Sequence, residues 1–212
     1  MHYDLEEIKR DVRIAIDAND VSRNMMDVDT LTTDEIILSK IEEAVNKVHL
    51  SAPLYMIEPG NNFAESLHWV SGETGIGEGW TILPDDFLRF MVFKMSDWEV
   101  PVYAAILPDN PVYLQQKSRF KGIKGNPQKP VCAIVTRPIG RVLEFYSCRG
   151  GEDVTVEMAV YLPVSKIHDG GIDICERCYK SVIYMIAALT ASSMNERTDA
   201  EIFFNLSNNS LV

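Results

Sequence analysis

Two thiols set three residues apart, Cys175-Glu176-Arg177-Cys178, are the sharpest chemical pattern in the chain. At the start of a helix such a pair is either a redox couple, because the helix N-terminus lowers a thiol pKa, or half of a zinc site. A redox couple calls for a preceding strand-helix-strand pattern, which the sequence lacks. A zinc site calls for a second close pair, and Cys132 and Cys148 stand on two separate predicted strands with 15 residues between them. Free cysteines otherwise behave as small apolar side chains. All four are therefore expected to be structural and buried, with a small zinc- or thiol-dependent enzyme built on Cys175 and Cys178 as the alternative. Cys132 and Cys148 are equidistant from Gly140, which places them facing each other across a hairpin as a packing pair.

The remaining candidates for chemistry are weaker. Gly72-Glu73-Thr74-Gly75-Ile76-Gly77-Glu78-Gly79 has the glycines of a phosphate-binding turn but carries two acids and leads into Trp80, with no Lys-Ser/Thr behind it. Phosphate binding needs helix N-terminal amides and no competing anion, so a flexible contact loop is expected. Asp85-Asp86 follows Pro84 and reads as the first turn of a helix, where the dipole favours acids. His2, His49, His68 and His168 have no partner three or four residues away. No catalytic residue, cofactor or metal ligand is expected. One stretch stands out against the chain's net charge of −11: Lys117, Arg119, Lys121, Lys124 and Lys129 occur with no acid among them. Phe120, Gly122, Ile123 and Gly125 interleave with these bases. Such a stretch is either a solvated loop or, on the sharper reading, a contact arm toward an acidic neighbouring subunit or a nucleic-acid backbone; for an arm, the acidic body favours a protein partner.

The elements that position these residues follow from periodicity. The 212 residues, 46% hydrophobic and 24% charged, have the composition of an ordinary globular domain. The acidic balance argues against duplex binding, which draws its affinity from Lys and Arg. The charged N-terminus lacks a signal-peptide core, and no apolar run is long enough to span a membrane, so a reducing cytosol is the expected compartment of synthesis. Leu5, Ile8, Val12 and Ile16 mark a helix over 3–19, and Ile37, Ile41, Ala44 and Val48 mark a second that ends before Pro53. Thr32-Thr33-Asp34-Glu35 has the form of a capping box that starts the second helix. Strands are expected over 63–70 and 100–107. Trp80 to Arg89 reads as a strand end, a Pro-initiated helical turn and the start of a second strand through Met95, and a short helix opens at Asn110-Pro111. Three consecutive strands follow between Lys129 and Tyr161, with turns at Pro138-Ile139-Gly140 and Gly150-Gly151. A strongly apolar helix occupies 173–193, and a weaker tail closes the chain. The fold class is thus α+β. Residues 1–55 and 173–195 form an antiparallel helical bundle, 56–172 an inserted antiparallel β-sheet or sandwich, and 196–212 a C-terminal extension.

In its order of segments the chain resembles the head-to-tail adaptor, or connector ring, proteins of tailed bacteriophages, of the short-tailed crAss-like group. The segments that carry the resemblance are 34–45 (DEIILSKIEEAV), Leu83-Pro-Asp-Asp-Phe-Leu-Arg89 and Met95-Ser-Asp-Trp98. Further on they are 120–127 (FKGIKGNP), 129–134 (KPVCAI), 143–148 (LEFYSC) and the helix around Tyr179 to Leu189. The resemblance implies a virion structural protein, assembled in the host cytoplasm as a homo-oligomeric ring of twelve copies beneath the portal. Such a ring extends the DNA channel without sequence-specific binding and docks the tail or a further ring protein. A different virion ring or a tail-completion component is the nearest alternative. A closed ring needs two complementary faces per copy, which the acidic body and the 117–129 stretch would supply. Adaptors often dock the portal through a chain terminus, which points to Ile202, Phe203 and Phe204, with Leu206, as apolar anchors.

Overall fold

The computed structural model describes residues 1–19, 30–58, 60–63, 67–70, 76–118, 120, 122–149 and 154–212. In chain order the elements are β1 (His2–Asp4), α1 (Leu5–Asn19), α2 (Thr30–Ser51), β2 (Asn61–Asn62), β3 (Leu67–Val70), β4 (Ile76–Ile82) and β5 (Phe87–Met95). They continue with α3 (Pro111–Gln116), β6 (Cys132–Arg137), β7 (Gly140–Arg149), β8 (Val156–Pro163), β9 (Ile167–His168), β10 (Gly171–Asp173), α4 (Tyr179–Ser193) and α5 (Arg197–Asn209). The architecture is α+β, as the sequence predicts. N- and C-terminal helices pack together and the antiparallel sheets lie between them in sequence. Two compact units result, Met1–Glu58 with Val164–Val212, and Pro59–Pro163.

In the helical unit α4 is the centre. Nine of its residues are buried, from Ser181 to Ala191, so it is apolar nearly all round and packs against α1, α2 and α5. The predicted stripes meet it. Ile8 and Val12 of α1, and Ile37, Ile41, Ala44, Val45 and Val48 of α2, are fully buried. The helix α2 already runs at Thr30, so Thr32 is an interior residue and not the cap of a capping box. Asp34 is engaged elsewhere, by Arg13 of α1 at 2.6 Å and Lys9 at 3.5 Å. The first helix starts later than its stripe suggests, because residues 2–4 are drawn into an antiparallel sheet of order β1-β10-β9. There His2 lies opposite Asp173 and Tyr3 opposite Ile172. Asp4 then caps α1, its Oδ1 accepting the Glu6 amide at 2.7 Å.

The end of α4 explains why the last residues fold back. Asn195 adopts the left-handed conformation with φ 65°, and the Glu196 amide donates to the Ala191 carbonyl at 2.9 Å, a helix stop followed by reversal. The returning helix α5 lies on α4 through Ser181 and Ser207, both without exposed surface. Each hydroxyl donates to the other residue's carbonyl, at 3.0 and 2.9 Å. Small side chains permit that close approach, and the segment 196–212 is thus a packed helix over Arg197–Asn209 in place of a weak tail.

The second unit is a sandwich of two antiparallel sheets, β2-β8-β5 and β3-β4-β7-β6. Its core joins Phe63, Phe87, Phe90, Phe93, Leu143, Phe145 and Tyr161, with the Phe93 and Phe145 rings 5.2 Å apart between the sheets. Of the three consecutive strands predicted after Lys129, two pair as a hairpin, while β8 crosses to β5 and β2. The strand expected over 63–70 begins at Leu67, with Phe63 turned into the core. The strand expected over 100–107 is reduced to single bridges at Val102 and Ile106, since Pro101 and Pro108 remove the ladder donors at its ends.

The β6–β7 register corrects the expected cysteine pairing. The turn is centred between Pro138 and Ile139, one and a half positions earlier than Gly140, so Cys132 lies opposite Phe145 and not Cys148. Cys148 returns to the same core for a different reason. Between Gly77↔Cys148 and Gly79↔Phe145 two residues of β7, Tyr146 and Ser147, oppose Glu78 alone. This bulge reverses the alternation of the strand and turns the Cys148 side chain inward. Both thiols are free and buried, and burial, reinforced by Cys148, pushes the Cys132 thiol well above its ordinary value.

Candidate functional site

The face of the four-stranded sheet that carries α3 gathers the polar and aromatic side chains of the sandwich unit. One row crosses all four strands: His68 opposite Trp80, Trp80 opposite Glu144, and Glu144 opposite Ala133. Directly opposed residues share a face, so these side chains stand side by side. The His68 ring stacks on Trp80 at 3.9 Å, and the Arg137 guanidinium lies over the Trp80 ring at 4.9 Å. Arg137 also donates from Nε and Nη2 to Oε1 of Glu144, at 3.0 and 2.6 Å. The other carboxylate oxygen accepts the Tyr113 hydroxyl at 3.2 Å and the Tyr146 hydroxyl. Burial, together with the carboxylate, raises the Tyr146 phenol far above its usual value, so it stays a donor. Glu144, 6% exposed, is thus fully engaged. Beside it opens a groove of about 470 Å³ lined by Trp80, Lys117, Lys124, Arg137 and Tyr146.

The lysines reach this groove because the stretch after α3 is held in place. Asn110 caps α3, its Oδ1 accepting the Val112 amide at 2.9 Å, with Pro111 at the first helical position. Gln116, 1% exposed, then accepts the Gly125 amide on Oε1 at 2.8 Å. A side chain at 125 would put Cβ 2.3 Å from the Ser147 hydroxyl oxygen, so glycine lets the loop press against the bulge in β7. Asn126 closes the return by accepting the Gln128 and Lys129 amides at 2.9 and 3.0 Å. Gln116→Met keeps the volume but removes the acceptor for a buried N–H, at an expected loss of about 1–3 kcal/mol. Urea denaturation measures that loss, and hydrogen exchange is expected to show the Gly125 amide deprotected first.

Of the predicted contact residues, Lys117 and Lys129 are exposed and Lys124 is half-buried on the groove wall. Arg119 and Lys121 lie outside the described residues. Around the bases, Phe120 is 72% exposed, Leu114 69% and Ile123 48%, so the stretch presents apolar and cationic groups together. In α5, Ile202 and Phe204 are about half exposed, while Phe203 is buried in the helical unit. Phe203 is therefore part of the chain's own core. Asp85-Asp86 forms a β-turn and not a helical one, closed by the Phe87 amide on the Pro84 carbonyl at 3.1 Å. Asp86 accepts the Tyr161 hydroxyl at 2.8 Å. Of the glycine run, Gly77 and Gly79 belong to strand β4, and Gly72 and Gly75 lie outside the described residues.

Cys175 and Cys178 are both buried, Cys175 at the N-cap and Cys178 at the end of the 3-10 turn Glu176–Cys178 that leads into α4. The Cys175 sulfur accepts the Glu58 amide at 3.5 Å, and its own amide reaches Nε2 of the buried His49 at 3.4 Å. The neighbouring Cys178 thiol, with His49 and the Glu58 amide, holds the Cys175 thiol below its ordinary value against the effect of burial. His49 falls four residues after Val45, on the buried stripe of α2, so its burial was legible from spacing. Its partner, 126 residues away, was not. Among the described residues, the group of three or more side chains placed to share a metal ion is elsewhere, at His2, His168 and Asp173. No family model matches this chain, and no curated protein sequence matches it significantly.

Proposed function

We propose that the chain is an assembly subunit, the head-to-tail adaptor of a tailed bacteriophage. It forms a ring beneath the portal, extends the DNA channel and docks the tail. The segment order set out above suggests this role, and the helical unit with an inserted β-sandwich is compatible with it. The observation that carries the reading is the surface at 112–129, where Leu114, Phe120 and Ile123 stand exposed among Lys117, Lys124 and Lys129 on a chain of net charge −11. Apolar anchors rimmed by one sign of charge form one half of a heterologous interface, and the acidic surface of the next copy supplies the other. A wall of net negative charge offers no counter-charge to phosphates, so DNA slides past it.

Electron microscopy of the native assembly tests this directly, with density for the chain expected in a ring between portal and tail. Density elsewhere in the particle favours another ring or tail-completion component, and a chain absent from particles overturns the reading. Charge reversal of Lys117, Lys124 and Lys129 to Glu is expected to abolish ring formation on added portal while leaving the monomer folded.

A further inference from the structure

The three-stranded sheet of the helical unit holds a constellation that the proposed assembly role does not use. His2 and Asp173 are directly opposed on β1 and β10, and His168 of β9 pairs with Gly171, two residues before Asp173. All three side chains therefore emerge on one face. The aspartate divides its oxygens between the rings: His2 Nδ1 lies 3.3 Å from Oδ1, and His168 Nε2 lies 3.0 Å from Oδ2. The ring centroids are 4.8 Å apart.

That closeness has a cause in the sequence. A Cβ at Gly171 would stand 2.5 Å from His2 Nε2, so the imidazole of His2 occupies the space that any other residue at 171 would fill. The tight turn Asp169-Gly170, with φ 49° and 77°, folds β9 back on β10. It also brings Oδ2 of Asp169 to 3.5 Å from His168 Nδ1, the outer nitrogen of that ring. A carboxylate there fixes the orientation of a ligating histidine and raises its basicity.

We propose that His2 Nδ1, His168 Nε2 and the Asp173 carboxylate bind a divalent first-row transition ion, zinc in the first instance, with Asp169 as the outer-sphere partner of His168. Two imidazole nitrogens and one carboxylate form an established zinc donor set, and their one ligand atom each all lie within 4.8 Å of one another. Each ring nitrogen stands against its own carboxylate oxygen, His168 Nε2 3.0 Å from Oδ2 and His2 Nδ1 3.3 Å from Oδ1, each near the edge length between tetrahedral ligands about 2.0–2.1 Å from zinc. The rings are about half exposed, which leaves the remaining position to water or to a ligand from outside. The ion would tie the first strand to the β9–β10 hairpin, so binding stabilises the helical unit by mass action.

The test uses the full chain without a histidine tag, at about pH 8, since protons compete with the metal for its ligands. Competition with a chromophoric chelator is expected to give one zinc per chain and a melting temperature that rises with zinc. His168→Ala and Asp173→Asn, both at exposed positions, are each expected to weaken binding by at least about tenfold and to remove the thermal shift while the circular dichroism stays unchanged. Cobalt separates this site from the cysteines, since nitrogen and oxygen ligands give no thiolate-to-metal charge-transfer band. Failure to take up zinc, unchanged binding in both variants, or a thiolate band with cobalt each overturns the proposal.

Discussion

Phe145→Ala is expected to lower the unfolding free energy by about 3–5 kcal/mol, the range for emptying a well-packed aromatic site. The side chain has no exposed surface and sits at the middle of the sandwich, 5.2 Å from the Phe93 ring. The sequence accommodates it in an unusual way. Gly79 is its partner across β4 and β7, and a Cβ there would stand 2.3 Å from Cζ and 2.6 Å from Cε2 of the ring. A rigid ring has no flexible end to move aside. Gly79→Ala is therefore expected to cost about 1–3 kcal/mol through overpacking, although alanine is otherwise no worse in a strand than glycine. The two changes should couple strongly: with Phe145 already cut to alanine, Gly79→Ala should cost nothing or even stabilise. Urea denaturation of the two single variants and the double variant measures the cycle. Equal penalties for Gly79→Ala in both backgrounds would rule out the steric account of this glycine.

That glycine marks the boundary of what the residues disclose. Spacing alone identified α1, α2 and α4 and most of their buried faces, because a helix that packs by one stripe writes its contacts at intervals of three and four. It identified α3 by its Asn-Pro start, and the β6–β7 hairpin by its turn. Gly77 and Gly79, by contrast, have the sequence signature of a loop, since a glycine-rich run looks the same whether it is pliable or is making room for a distant ring. The strands β1, β9 and β10 were invisible, being two or three residues long, with β1 paired to β10 across more than 160 positions of sequence. With them went the meeting of His2, His168 and Asp173, which no local interval encodes. The basic stretch at 117–129 was legible as charge, but not the buried Gln116 that holds it, nor the row from His68 to Glu144. The cysteine pairing failed because the turn is centred ahead of Gly140, and only the register of the partner strand reveals that; the bulge in β7, equally silent in the sequence, is what turns Cys148 back inward.

The row is where the second large effect is expected. Arg137→Met leaves the Glu144 carboxylate, 8% exposed at its side chain, with two phenol donors and no cation. Breaking one partner out of a buried ion pair costs about 3–5 kcal/mol, chiefly because the remaining charge is stranded. The two tyrosines persist as donors and the Arg137 side chain is 36% exposed, so the loss should fall at the lower end of that range. Glu144→Leu strands no charge in the interior but leaves two phenols and a guanidinium without their acceptor, each of them costly when buried. The double variant Arg137→Met/Glu144→Leu removes both charges together and should be more stable than the sum of the singles predicts, by about 0.5–3 kcal/mol. Additive losses would mean that the carboxylate is solvated in solution and that the ion pair is a surface contact of little worth. The same variants separate stability from recognition. Arg137 covers Trp80 and lines the groove with Lys117 and Lys124, so Arg137→Met removes a cation there while the double variant lacks the same cation without stranding the carboxylate. A partner held by that cation is lost in both variants. One held by the apolar tips of the 112–129 surface is lost only where the sandwich itself is weakened.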